Sequence, residues 1–131
     1  MHDQEALDRL AVLCGIAPEY IDIWGQTHLV SGATKQVLLA AMGVAVADTA
    51  QLHSSLAEHE SAPWRRPLPP VWVHRLGPEP LQIPLTLPVS LESMPQRWLV
   101  QTEDGSQHQG ELHAAALPAL NEREIDGERY Q

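Results

Sequence analysis

Histidines and carboxylates are the groups in this sequence that could bind a metal or move a proton, and there are 7 of the first and 17 of the second. None of His2, His28, His53, His59, His74, His108 and His113 forms the one-turn pair with an adjacent Glu that a helical zinc site uses. His108 and His113 fall on opposite faces of a regular strand, which gives them a surface role. Cleaving a glycosidic bond takes two carboxyl groups facing each other across roughly 5–10 Å. Glu122, Glu124, Asp126 and Glu128 instead alternate towards one side of an expected strand, where like charges repel and stay solvated. Ser31 and Ser90 lack the Gly-x-Ser-x-Gly turn of an activated nucleophile, and Gly15, Gly25, Gly32 and Gly43 are scattered at helix ends rather than gathered into a phosphate loop. The expectation is no catalytic residue, no metal site and no cofactor. Cys14, the single cysteine, excludes an internal disulfide and reads as buried and inert.

Aromatic usage offers a binding chemistry instead, with four Trp, two Tyr and no Phe. An indole presents a flat apolar face on which the C–H side of a sugar can stack, and its edge N–H can reach a hydroxyl. Trp72 and Trp98 fall on expected strands and are the candidate substrate-binding residues; the same positions would equally suit the large buried residue of a small sandwich. Tyr20 and Trp24, within Pro18–Gly25, are expected to clamp the loop between two helices. Trp64 is expected to pack a connector against its surroundings.

The elements that must position these side chains divide the chain in two. Ten of the 11 prolines follow residue 62. Residues 1–62 have the Ala- and Leu-rich texture of about three helices, residues 63–70 form a stiff Pro-rich connector, and residues 71–131 have the Pro, Val, Trp and Thr texture of short antiparallel strands. Asp3 is placed to cap a first helix whose stripe is Ala6, Leu7, Leu10, Ala11 and Cys14, stopped by Gly15. Ser31 opens a second, with Val37, Leu38, Ala41 and Met42 facing inward before Gly43. Asp48 opens a third around Leu52 and Leu56. In the second part, Leu81, Ile83, Leu85, Leu87, Val89 and Leu91 alternate with polar residues or prolines, the pattern of an edge strand that lacks donors on one side at Pro84 and Pro88. Val71–Arg75 is a further expected strand. Asp104-Gly105 predicts a tight primed turn between residues 97–103 and 106–112, and Asp126-Gly127 repeats the device. The fold class is α+β: a helical segment followed by an antiparallel, immunoglobulin-like β-sandwich, incomplete at its C-terminal end.

Length and charge remove several functions. With 131 residues there is no room for a (β/α)8 barrel of roughly 200 residues or more. A net charge of −9 is the wrong sign for holding phosphate backbones or anionic membranes, and no run approaches the roughly 20 apolar residues of a membrane span. The amino terminus lacks the basic start and apolar run of a secretory signal, so a cytoplasmic location is expected.

The run from Leu7 to Gly25, LDRLAVLCGIAPEYIDIWG, resembles the start of bacterial 4-α-glucanotransferases of the long amylomaltase type. Residues 31–44, SGATKQVLLAAMGV, are similar to that family's next helix, and residues 64–70, WRRPLPP, to its connector into a β domain. The hairpin about Asp104-Gly105 and the segment Glu122–Gly127 follow in the expected order. The resemblance implies that the chain is a non-catalytic N-terminal region of an enzyme that transfers α-1,4-glucan segments between maltooligosaccharides. It implies that the acid and nucleophile lie on a missing C-terminal barrel, and that maltooligosaccharide or starch-derived glucan is met through that parent. A stand-alone carbohydrate-binding or protein-interaction module is the alternative. An open strand edge at residues 121–131 is expected to allow a homodimer.

Overall fold

The computed structural model describes residues 3–75, 77–78 and 80–131; His2 lies outside them. The chain forms two compact units, Met1–Ala62 and Pro63–Gln131.

In the first unit, α1 (Asp3–Leu13), α2 (Gly32–Ala41) and α3 (Thr49–Ser61) surround one core, and a small hairpin, β1 (Glu19–Ile21) with β2 (Thr27–Leu29), joins α1 to α2. The stripe expected on α1 is buried at Ala6, Leu7, Leu10 and Ala11, and it meets Leu39 of α2, Leu52 and Leu56 of α3, and Val46. Two helices stop in the same way. Gly15 and Gly43 sit at φ +82°, the left-handed region glycine enters without strain. Ile16 N then donates to Ala11 O, and Val44 N to Leu39 O, which satisfies orphan carbonyls and turns each aliphatic side chain back onto the core. Ser31 caps α2 by accepting from Thr34 N at 3.1 Å. Asp48 caps α3 by accepting from Gln51 N at 2.8 Å, while the Gln51 side chain reaches back past the cap to accept from Ala47 N at 3.1 Å.

Two expectations for this unit are corrected. Val37, Leu38 and Ala41 of α2 and its C-cap Met42, all expected to face inward, are exposed, and Lys35 and Leu39 are the buried pair. This helix is apolar round most of its circumference, so side-chain spacing selects no face; the ion pair of Lys35 Nζ with Asp8 at 2.7 Å accompanies the rotation found. Asp3 lies in the first turn of α1 and accepts from Thr49 Oγ1 at 2.7 Å, linking α1 to α3.

The second unit is β, built from antiparallel pairs. A seven-residue hairpin, β3 (Pro95–Gln101) with β4 (Gln107–His113), sets Trp98 opposite Gly110 and Val100 opposite His108. A short hairpin, β5 (Arg123–Ile125) with β6 (Glu128–Tyr130), turns at Asp126 and Gly127, whose φ values of 53° and 81° make the primed turn expected there. The turn of the longer hairpin differs from expectation. Only Gly105 has positive φ, and Thr102 N donates to Ser106 O, so three residues make the connection and the glycine forms a bulge. Leu87 and Ala114 are the buried apolar residues among those described in this unit.

Among the described residues, the expected strands at Val71–Arg75 and Leu81–Leu91 form no regular ladder; Val89–Leu91 is a 3-10 turn, Pro88 bridges to Tyr130, and Leu87 exchanges backbone hydrogen bonds with Gln131. Alternation supplies a buried face but not a partner, and a strand needs both. The acidic row at residues 122–128 is likewise not one-sided, because the turn at 126–127 splits it. Glu124 is opposite Arg129, Asp126 pairs with Arg65, and Glu128 accepts from Tyr130 OH at 3.1 Å.

Candidate functional site

Trp98 is the better positioned of the two candidate binding residues. Its ring lies over Gly110 of the neighbouring strand, so close that a Cβ added there would stand 2.6 Å from Cζ2 and 2.9 Å from Nε1. A mid-strand glycine facing an aromatic ring lets the indole lie against the backbone, and Trp98 remains 41% exposed. This is the geometry of a platform: one side seated on the sheet, with ring surface still open to solvent. Trp72 is 49% exposed in a segment without regular structure, and among the described residues no ring stacking joins it to Trp98. The sequence did not separate the two tryptophans, because the two-residue turn expected at Asp104-Gly105 sets Glu111 rather than Gly110 opposite Trp98.

A second aromatic cluster crowns the first unit. Tyr20 of β1 stacks on His28 of β2, with ring centroids 5.2 Å apart and planes at 21°. His28 Nε2 lies 2.8 Å from Asp22 Oδ2, and Asp22 Oδ1 accepts from Trp24 N and Gln26 N, both at 2.9 Å. The His28 contact, followed by these backbone donors, holds the Asp22 carboxyl below its ordinary value of 3.8. The loop is therefore shaped by Asp22, not clamped by its aromatic residues. Trp24 is 79% exposed, and Tyr20 is exposed too, which corrects their expected role. Trp64 is half-buried in the connector region.

Other titratable groups hold structure. Lys35 lowers the pKa of Asp8 by its hydrogen bond, with Gln4 also donating to that carboxylate. Thr102 and Ser106 lower that of Asp104 in the hairpin turn. Burial raises that of the Cys14 thiol, which is half-buried against the core. Arg9 pairs with Glu60, and His59 Nδ1 lies 2.8 Å from Ser55 O. Among the described residues no group of three or more His, Cys, Asp or Glu could hold a metal ion, and no helix is long and apolar enough to cross a membrane.

Residues 67–131 match the family described as the MalQ N-terminal beta sandwich domain. The second unit belongs to that family. A 4-alpha-glucanotransferase of Mycobacterium bovis is 39% identical over 101 residues, which is 77% of this chain and 13% of the relative; one from Mycobacterium tuberculosis matches equally. The crystal structure of amylomaltase from Corynebacterium glutamicum superposes on 98% of this chain with a TM-score of 0.69 and 30% identity, and 18% of that chain is covered. The chain thus corresponds to the N-terminal region of amylomaltases, with an α+β fold whose β part is a sandwich domain. It spans less than a fifth of the relatives it matches.

Proposed function

We propose that this chain is the non-catalytic N-terminal region of a 4-α-glucanotransferase that moves α-1,4-glucan segments between maltooligosaccharides in cytoplasmic maltodextrin metabolism. One observation carries the reading: similarity runs over 77–98% of the chain while covering only 13–18% of its relatives. The carboxylates support it. Asp3, Asp8, Asp22, Glu60 and Asp126 each pair with a cation, a histidine or a hydroxyl of their own unit, an arrangement that ties elements together rather than setting two acids across a cleft. In the parent enzyme, the partner of this region is a C-terminal catalytic barrel, and Trp98 extends the surface that glucan touches.

The test has two arms. Purified chain, incubated with maltotriose, is expected to release no glucose above a protein-free blank, whereas the full-length protein disproportionates it. Glucose release by the 131 residues alone would end the proposal. Maltoheptaose is expected to perturb the indole N–H signal of Trp98 more than that of Trp72. A response confined to Trp72, or none at millimolar sugar, removes the platform and leaves a purely structural role.

A further inference from the structure

The β1–β2 hairpin of the first unit sorts its side chains by face. Its register pairs Glu19 with Leu29, Tyr20 with His28 and Ile21 with Thr27, so Tyr20 and His28 rise from one side and Glu19, Ile21, Thr27 and Leu29 from the other. The Tyr20–His28 stack is not what shapes the hairpin. Asp22 sets the turn by accepting from Trp24 N and Gln26 N, Asp22 N donates to Gln26 O, and Val30 N closes the base on Pro18 O. Nor does the stack feed the core, whose buried cluster draws on α1, α2, α3 and Val46 and on no hairpin residue. Tyr20 keeps 57% of its surface open on a backbone fixed at both ends. An aromatic side chain presented in this way loses little conformational freedom when a ligand covers it.

The same aspartate sets the polar edge of the stack. A carboxylate only accepts, so His28 Nε2 carries a proton and donates it to Asp22 Oδ2 at 2.8 Å, which leaves Nδ1 of the neutral ring as an acceptor. Among the described residues neither Nδ1 nor the Tyr20 hydroxyl has a hydrogen-bond partner. A flat apolar ring, an acceptor and a hydroxyl on one face complement a pyranose, which offers C–H groups on its face and hydroxyls round its rim. Charge narrows the ligand further. Glu19 and Asp22 on the hairpin, in a chain of net charge −9, disfavour phosphorylated or acidic sugars and leave neutral ones.

We propose that the Tyr20–His28 face binds a glucosyl residue of a neutral α-1,4-glucan, with the sugar ring stacked on Tyr20 and a hydroxyl donating to His28 Nδ1. The choice of an α-1,4-glucan rests on the preceding reading of the chain as part of a glucanotransferase. The site itself is additional to Trp98 and belongs to the other unit. Stacking on one phenol ring with one or two hydrogen bonds gives millimolar affinity, the strength of a surface that collects glucan rather than one that encloses it.

The test is a titration of the chain with maltoheptaose, followed in the aromatic NMR spectrum. Tyr20 and Tyr130 are the two tyrosines of the sequence, so their ring signals are read separately. Those of Tyr20 and His28 are expected to shift along a saturating curve with a millimolar midpoint, and those of Tyr130 to stay in place. Tyr20→Ala is expected to weaken the His28 response about fivefold or more. Tyr20→Phe keeps the stack and is expected to weaken it about twofold at most, and Leu29→Thr, on the opposite face, is expected to leave it unchanged. Amide signals of Trp24 and Gln26, which Asp22 holds, report whether each variant keeps the hairpin; should Tyr20→Ala lose it, the unaltered chain and Tyr20→Phe still decide. Cellopentaose presents the same glucose units in β linkage and is expected to bind several-fold more weakly. No saturating shift at Tyr20, a Phe variant as weak as the Ala one, a loss with Leu29→Thr, or an equal response to cellopentaose would overturn the proposal. The Trp98 indole signal in the same titration tests the platform of the second unit, and maltotriose disproportionation by the full-length protein tests the glucanotransferase reading, so each can fail alone.

Discussion

The first unit buries Ala6, Leu7, Leu10, Ala11, Leu39, Val46, Leu52 and Leu56, whereas the second, of similar length, buries only Leu87 and Ala114 among its described residues. In the second unit Val71, Trp72, Val73, Leu81, Ile83 and Leu99 all stay well exposed. The contrast follows from where each element finds its hydrogen bonds. A helix closes them within itself, so three short helices need only turn their stripes together. A strand depends on a neighbour at each edge, and a two-stranded hairpin with no third strand leaves both faces wet. Cooperative packing thus resides in the helices, and the hairpins are held largely by turns.

The strongest test of this contrast is Leu10→Ala, which empties a fully buried position and is expected to cost about 3 kcal/mol in urea unfolding followed by helical circular dichroism. Trp98 emission should not move; if it shifts together with the helical signal, the two units are not independent. In the second unit, Gly110→Ala forces a methyl into the Trp98 ring and is expected to cost about 1–2 kcal/mol, with a red shift in Trp98 fluorescence as the indole lifts. A stability gain would mean the ring is not seated there.

Asp8→Asn leaves the Lys35 ammonium buried with half its pairing lost. Because Asp8 itself is 47% exposed, the expected cost is only about 1 kcal/mol, and Asp8→Glu should restore part of it. The smallest effect is shared by both units. Asp22 and Asp104 have carboxyl pKa values held below 3.8 in the fold. Each contribution is therefore complete above 3.8 and is lost as pH falls through the lower folded value. Amides of Gln26 and Ser106 should lose protection in acid over the same range, ahead of the helices. Loss in the neutral range would contradict this assignment.

Legibility in the sequence tracks the same division. Asp48, Ser31, Gly15 and Gly43 marked helix ends because capping is local chemistry, and the α1 stripe was clear because polar residues flank it. The α2 face was misjudged because Val37 to Met42 offers no polar side to exclude. Asp-Gly serves both a two-residue primed turn and a three-residue bulged one, so residues 104–105 and 126–127 looked alike and folded differently. The β1–β2 hairpin escaped notice because three-residue strands carry too little alternation to register. Trp98 was singled out by type alone; its seat on Gly110 depends on a cross-strand register that spacing does not reveal.

The hairpin of the first unit closes at its own base, where Val30 N bonds Pro18 O at 2.9 Å. Its tip therefore hangs from a clasp that neither α1 nor α2 supplies. An affinity tag or fluorophore-binding peptide grafted between Ile23 and Gln26 would leave the helical scaffold untouched. That loop is the natural handle for immobilising or labelling the protein without disturbing its interior.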